Sequence, residues 1–238
     1  MNEDFLAALP EPFETYKKQI FGGASTWGEK CQKGISMLSE DRMNNVYHTV
    51  KSIIDNKIPG DFVETGVWRG GASIFAALIL KHFNETKRNV WVCDSFEGFP
   101  ENKENDEINW SSLNSWIKAS QEDVIKNFEK FDVLGTNIKF VKGFFADTMK
   151  TIEVKEIAVL RLDGDMYNST MDCLNALYPK LNQGGFCIID DYCPEIPECI
   201  RAVNDYRDKH GIIESLIHFP EEPDDLCPGT FWQVSKKA

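Results

Sequence analysis

Positive charge is what this chain of 238 residues conspicuously lacks: 26 lysines and arginines stand against 38 aspartates and glutamates, a formal net charge of −12. A field of that sign repels phosphate backbones and anionic lipid surfaces, so nucleic acid and membrane are excluded as expected partners. Long apolar runs are missing as well, since no stretch reaches the roughly 18 to 20 residues needed to cross a bilayer. Residues 1–18 carry no basic segment followed by an apolar one, so no secretory signal is read there and a cytoplasmic location is expected. The seven cysteines are odd in number and include no CxxC pair, which argues against a zinc ribbon and a disulfide framework; all are expected as reduced thiols, some buried in strands. Histidine is scarce, at four residues. His48, His82 and His210 fall at helix-surface positions and His218 beside a strand end, which leaves them weak candidates for catalysis. Internal repeats and low-complexity tracts are absent from the sequence.

What is present is an ordinary globular composition, 42% hydrophobic and 27% charged, in a length that suits one large α/β domain or two small ones. Ser39 is placed to cap a helix in which Met43, Val46, Val50, Ile53 and Ile54 recur at helical spacing, ending before Pro59-Gly60. A strand at 61–65 then turns through Gly66-Val-Trp-Arg-Gly-Gly71 into a helix from Ala72 to about Phe83 that is apolar on most sides. Further strands are expected at 90–94, 138–142, 157–163 and 186–190, with helices near 120–130, 169–182 and 195–210. Two late strands, 213–219 and 230–234, would bring the count to seven. Such alternation predicts a mostly parallel sheet covered on both faces. The 221–229 segment, EEPDDLCPG, is expected to be an exposed loop. Residues 1–58 read as an N-terminal helical or lid-like extension to a domain over 59–238. The 101–118 insertion follows a strand's carboxyl end and carries Trp110 and Trp116, which suits either a lid or a surface insertion with locally packed tryptophans.

Three features point to chemistry. The glycine turn after Glu64 lies between a strand and a helix, where the backbone bends sharply and approaches a ligand closely, although Trp68 and Arg69 depart from the dinucleotide G-x-G-x-x-G pattern. Asp94, at the tip of the next strand, is placed to accept both hydroxyls of a ribose, and together with the turn it implies an adenosine-containing ligand. Two later strand ends deliver Asp163 with Asp165, and Asp190 with Asp191. Crowding these acids at one sheet edge is costly unless a proton or a cation neutralises them, and a hard divalent ion such as Mg²⁺ meets that need. An Asp163-Gly-Asp165 metal-binding DxD of a glycosyltransferase is an alternative, as is a fold of this kind that has lost catalysis and serves as a binding module.

Five ordered segments, ETGVWRGG, VWVCDSFEGFP, VKGFFADTM, LRLDGDMYNSTMD and GGFCIIDDY, resemble those of the macrocin/mycinamicin-type (TylF-type) sugar O-methyltransferases, over about Pro59 to at least Tyr206. The resemblance implies a Rossmann-like class I methyltransferase fold, with a seven-stranded mostly parallel sheet and helices on both faces. It implies S-adenosylmethionine (SAM) as methyl donor, Mg²⁺ holding adjacent sugar oxygens, and a homodimer or larger homo-oligomer. Carried over by position, Glu64, Thr65, Gly66 and Ser73 would line the methionine end of the donor. Asp94 would bind the ribose with Ser95 beside it, and Gly143, Phe144 and Phe145 would frame the adenine, with Asp147 a lesser candidate. The metal ligands would be Asp163, Asp190 and Asp191, with Asp163 preferred as base. Related catechol-type enzymes carry a lysine three residues after the first ligand; Met166 stands there, so that base does not carry over. A phenolic or catecholic acceptor remains open beside the sugar.

Overall fold

The computed structural model describes residues 5–102, 107–220 and 227–235. Three N-terminal helices, α1 (Phe13–Ile20), α2 (Trp27–Lys33) and α3 (Glu40–Asp55), precede the first strand, β1 (Asp61–Thr65). The chain continues through α4 (Gly71–His82), β2 (Val90–Asp94), α5 (Asn114–Ile117), α6 (Gln121–Lys130), β3 (Ile138–Lys142), α7 (Phe145–Thr148) and β4 (Ile157–Leu162). It closes with α8 (Tyr167–Leu177), β5 (Leu181–Ile189), α9 (Pro197–His210), β6 (Ile217–His218) and β7 (Thr230–Gln233). The seven strands form one sheet in the order β3-β2-β1-β4-β5-β7-β6. β1 to β5 pair in parallel, and β7 is antiparallel to both β5 and β6.

Period-two alternation sorts the strand side chains onto two faces. Phe62, Val90, Val92, Phe186 and Ile188 pack against α1, α3, α4 and α6. Val63, Leu160, Leu162, Cys187 and Ile189 pack against α8 and α9. The N-terminal helices thus share a core with one face of the sheet, through Phe13, Ile20, Met43, Val46 and Val50. α3 begins as its sequence predicts, with the Ser39 hydroxyl accepting from the Arg42 amide at 3.3 Å. The late strands are shorter than expected, because only Ile217 and His218 of the 213–219 run find partners on β7. The helix expected to reach residue 182 stops at Leu177, and Leu181 and Asn182 already belong to β5. Most of the loop expected at 221–229, and residues 103–106 of the insertion, lie outside the described residues.

The cysteines depart from the expectation that all are reduced. Cys193 and Cys227 form a disulfide, with Cα atoms 5.1 Å apart, and the other five are free. Cys193 lies just beyond β5 and Cys227 just before β7, so antiparallel pairing of these strands brings together residues 34 apart in sequence. Spacing along the chain carries no trace of such a contact.

Candidate active site

Because β1 to β5 are parallel, all their carboxyl ends open on one edge, and the order reverses beside β1, where open α/β sheets form a crevice. A cavity of about 450 Å³ occupies that crevice, a size suited to a small ligand. Its wall includes Glu64, Gly66, Asp94, Ser95, Phe144, Phe145, Asp163, Asp165, Asp190 and Asp191, so one space collects most of the expected site residues.

Register explains which side chains meet. Glu64 pairs with Arg161 across β1 and β4, and Arg161 with Ile188 across β4 and β5, so Glu64 and Arg161 stand side by side on the face that carries α3 and α4. The Arg161 guanidinium lies 2.6 Å from Glu64, 2.9 Å from Asp163 and 2.5 Å from Asp190. Arg42 reaches from α3 to the second Asp190 oxygen at 2.7 Å, and Ser73 from α4 donates to the other Glu64 oxygen. Neither arginine figures in the sequence reading. The available signal is Arg161 itself, a lone cation within the otherwise apolar strand IAVLRL. A buried charge in such a strand requires buried partners of opposite sign.

Thr65, one residue beyond Glu64, is fully buried and does not belong to the cavity wall; alternation turns it to the α8 side. Gly143 also stays out of the wall: its φ of 139° lets the chain bend from β3 into α7, and its amide donates to the Asp94 carbonyl. Phe144 stands 37% exposed on the wall, while Phe145 also packs against the α8–α9 core. Asp147 is exposed and outside the wall. Gly66 has a positive φ of 80°, and a Cβ there would come within 1.6 Å of the Asp163 carbonyl oxygen. Its immediate role is to let the ends of β1 and β4 approach each other.

Asp94 combines two tasks. One oxygen accepts from the Val67 amide at 2.8 Å and the other from Phe96 at 2.7 Å, so the acid fixes the glycine turn and its own turn while facing the cavity. The Ser95 hydroxyl lies 3.5 Å from the oxygen that the Phe96 amide reaches. Burial raises the pKa of Asp94 against the opposing effect of the Phe96, Val67 and Trp68 amides. The Ser95 hydroxyl donates to the Gly98 carbonyl at 2.6 Å and so shapes the loop leaving β2.

The acids at the β4 and β5 ends form a graded cluster. Oxygens of Asp163, Asp165 and Asp191 lie within 4.8 Å of one another, a spacing that suits one shared cation. The Asp165 amide donates to Asp191 at 3.0 Å, held there by a backbone φ of 55°. Burial and the neighbouring carboxylates raise Asp163 and Asp191 well above the usual range. Burial, then the charges of Asp190 and Glu198, push Asp165 up to about 7. Asp190 goes the other way: burial would raise it, but Arg161 and Arg42 outweigh burial and hold it low. Asp190 therefore differs from its sequence neighbour Asp191, because both its oxygens already face guanidinium groups. Glu64, Asp163, Asp165, Asp190 and Asp191 are five acids against two arginines, an excess that a cation or protons must offset. No described histidine lines the cavity, and Met166 occupies the wall where catechol-type enzymes carry lysine.

The fold and the position of this cavity are those of class I O-methyltransferases. The macrocin-O-methyltransferase (TylF) family model matches residues 13–233, and the chain belongs to that family as a SAM-dependent O-methyltransferase. It is 43% identical over 207 residues to mycinamicin III 3''-O-methyltransferase of Micromonospora griseorubida, covering 84% of this chain and 78% of the relative. It is 38% identical over 227 residues to demethyldecarbamoylnovobiocin O-methyltransferase of Streptomyces niveus, covering 93% and 83%. Among solved structures, the O-methyltransferase NovP superposes with a TM-score of 0.84 at 34% identity, over 94% of this chain and 98% of that one.

Proposed function

We propose that the protein methylates a hydroxyl of a sugar or glycosylated small molecule, with SAM as donor and a divalent cation, Mg²⁺, at the acid cluster. The observation that carries this reading is the shared cavity: a strand-end acid suited to ribose and an uncompensated group of carboxylates open into one space. Both groups suit the residues present. The donor's sulfonium charge matches a wall rich in acids, the exposed Phe144 ring offers a flat surface for a base, and the excess carboxylates favour a hard cation. The relatives' acceptors, mycinamicin III above all, extend to this chain the expectation of a glycosidic substrate.

When bound, SAM supplies an electrophilic methyl group, and the cation lowers the pKa of a coordinated hydroxyl. Asp163 and Asp191 would hold the cation, and Asp190, oriented by Arg42 and Arg161, would contribute a lone pair left open by those bonds. Asp165, whose carboxylate oxygen lies within 4.8 Å of those of Asp163 and Asp191, would be within reach of the hydroxyl and accept its proton. In this assignment Asp165 takes the place of Asp163 as the base, because the Asp163 oxygens would be engaged by Arg161 and the cation. Arg161 keeps Glu64 and the acid cluster in fixed relation, so the donor and acceptor ends are held by one buried cation. The test is methyl transfer from SAM to mycinamicin III, a simple aryl rhamnoside and catechol, read by mass spectrometry. Methylation of a glycoside's sugar supports the proposal, and exclusive methylation of catechol would replace it with the phenolic reading.

A further inference from the structure

The insertion after β2 contributes Trp110, Leu113 and Ile117 to the cavity wall. Trp110 is 4% exposed and packs on Phe99 at 5.1 Å between ring centres. This short-element segment has little regular hydrogen bonding of its own, with a single 3-10 turn at Trp110–Leu113 and the four-residue α5. What fixes it lies elsewhere. Glu198, in the first turn of α9, is fully buried. Its Oε1 accepts from the amides of Glu107 and, at 3.1 Å, Ile108, while Oε2 accepts from the Trp110 indole at 3.3 Å and the Tyr167 amide at 3.4 Å. Three of these four donors belong to the insertion. The fourth is Tyr167, the first residue of α8, separated from the Asp163-Gly164-Asp165 turn by Met166 alone. At the surface the same contact is completed by Arg201, one turn along α9, which pairs with Glu107 at 2.6 Å and lies over the Tyr167 ring.

A carboxylate removed from water is tolerated when hydrogen bonds satisfy it, and most of the bonds to this one come from the segment it holds. Undocking the segment would leave Glu198 with a single partner, so burial of the acid and placement of the wall depend on each other. The anchor also sits against the acid turn, on the acceptor side of the cavity. We propose that Glu198 is a positioning residue for acceptor recognition: it fixes residues 107–117 as the acceptor-side wall and ties that wall to the start of α8. The acceptor role rests on the methyl-transfer reading above; the docking itself does not.

The test compares E198Q, W110F, their double variant and the surface variant R201A. Three readouts are used: hydrogen exchange over 107–113, affinity for S-adenosylhomocysteine by calorimetry, and steady-state kinetics with the best acceptor among mycinamicin III, the aryl rhamnoside and catechol. E198Q is expected to speed exchange over 107–113 selectively and to raise acceptor KM about tenfold, with kcat and S-adenosylhomocysteine affinity within about twofold. W110F, which keeps the ring and loses the indole donor, should shift KM less. The double variant should fall short of the product of the single effects, because both remove the same bond. R201A should move exchange and KM in the same direction by about twofold, and it keeps the proposal testable if E198Q folds poorly. Unchanged exchange and KM in E198Q and R201A would overturn the proposal. A parallel loss of KM, kcat and S-adenosylhomocysteine affinity would reduce Glu198 to a purely structural role. If the wild type turns over none of the three acceptors, the methyl-transfer reading fails, while hydrogen exchange still decides the docking.

Discussion

Asp163 and Asp165 are two residues apart and differ in what holds them. Both belong to the group of oxygens that suits a cation, but Asp163 is also held by the Arg161 guanidinium, whereas Asp165 is held through its own amide, and burial with the charges of Asp190 and Glu198 pushes it up to about 7. Asp165→Asn is expected to lower kcat by about 10²- to 10⁴-fold, the usual contribution of a general base, while the stabilisation that Mg²⁺ gives in thermal melts persists. Asp163→Asn should lose that Mg²⁺ stabilisation and turnover together, with S-adenosylhomocysteine affinity by calorimetry nearly intact. The reverse pattern would exchange the two assignments. At the same scale, Gly66→Ala places a Cβ 1.6 Å from the Asp163 carbonyl at a positive φ, and neither backbone can yield without parting β1 from β4. A loss of about 3 kcal/mol or more in denaturant melts is expected, and a loss under about 1 kcal/mol would contradict this account of the glycine.

Elements built on strong local signals were legible in the sequence. α3 carries its own cap at Ser39, and β1, β2 and β3 are compact β-rich runs whose bounds follow the pattern residue for residue. Parallel strands also predict that Asp94, Asp163, Asp190 and Asp191 share one edge, since a parallel sheet has a single carboxyl end. What was not legible depends on register and on contacts between distant segments. Arg161 meets Glu64 because β1 and β4 align those two residues, and Arg42 meets Asp190 across 148 positions. The placement of Thr65 away from the cavity follows from the same parity that turns Glu64 toward it. The Cys193–Cys227 bond depends on the β5–β7 pairing, and the docking of 107–110 on Glu198 spans about 90 residues. Motif spacing brings the acids to the right edge; the arginines that distinguish Asp190 from Asp191 come from the fold.

For the molecule as a whole, the surplus of acid has a consequence for stability as well as for partners. Burial raises the pKa of Glu64, Asp94, Asp163, Asp165 and Asp191, so each contributes stability that is fully present below its unfolded value and is lost as pH rises through its folded value, about 7 for Asp165. Asp190 has the opposite sign: its contribution is present above its unfolded value and lost as pH falls through the folded one. Contributions from acids held low, such as Asp190, are already complete above about pH 5, so the raised acids of the cavity predict that, without divalent ions, the melting temperature falls between about pH 5 and about pH 8. Mg²⁺ should restore stability more at the higher pH, where the site is charged. A metal effect independent of pH would place the ion away from these acids.

The central claim is that the acid cluster and the donor pocket act together on a sugar hydroxyl. Its most direct test is methyl transfer from SAM to mycinamicin III or the aryl rhamnoside, measured before chelation, in EDTA, and after Mg²⁺ is returned in excess. Loss of turnover in EDTA and recovery with Mg²⁺ is the predicted result; full turnover in chelator would contradict it.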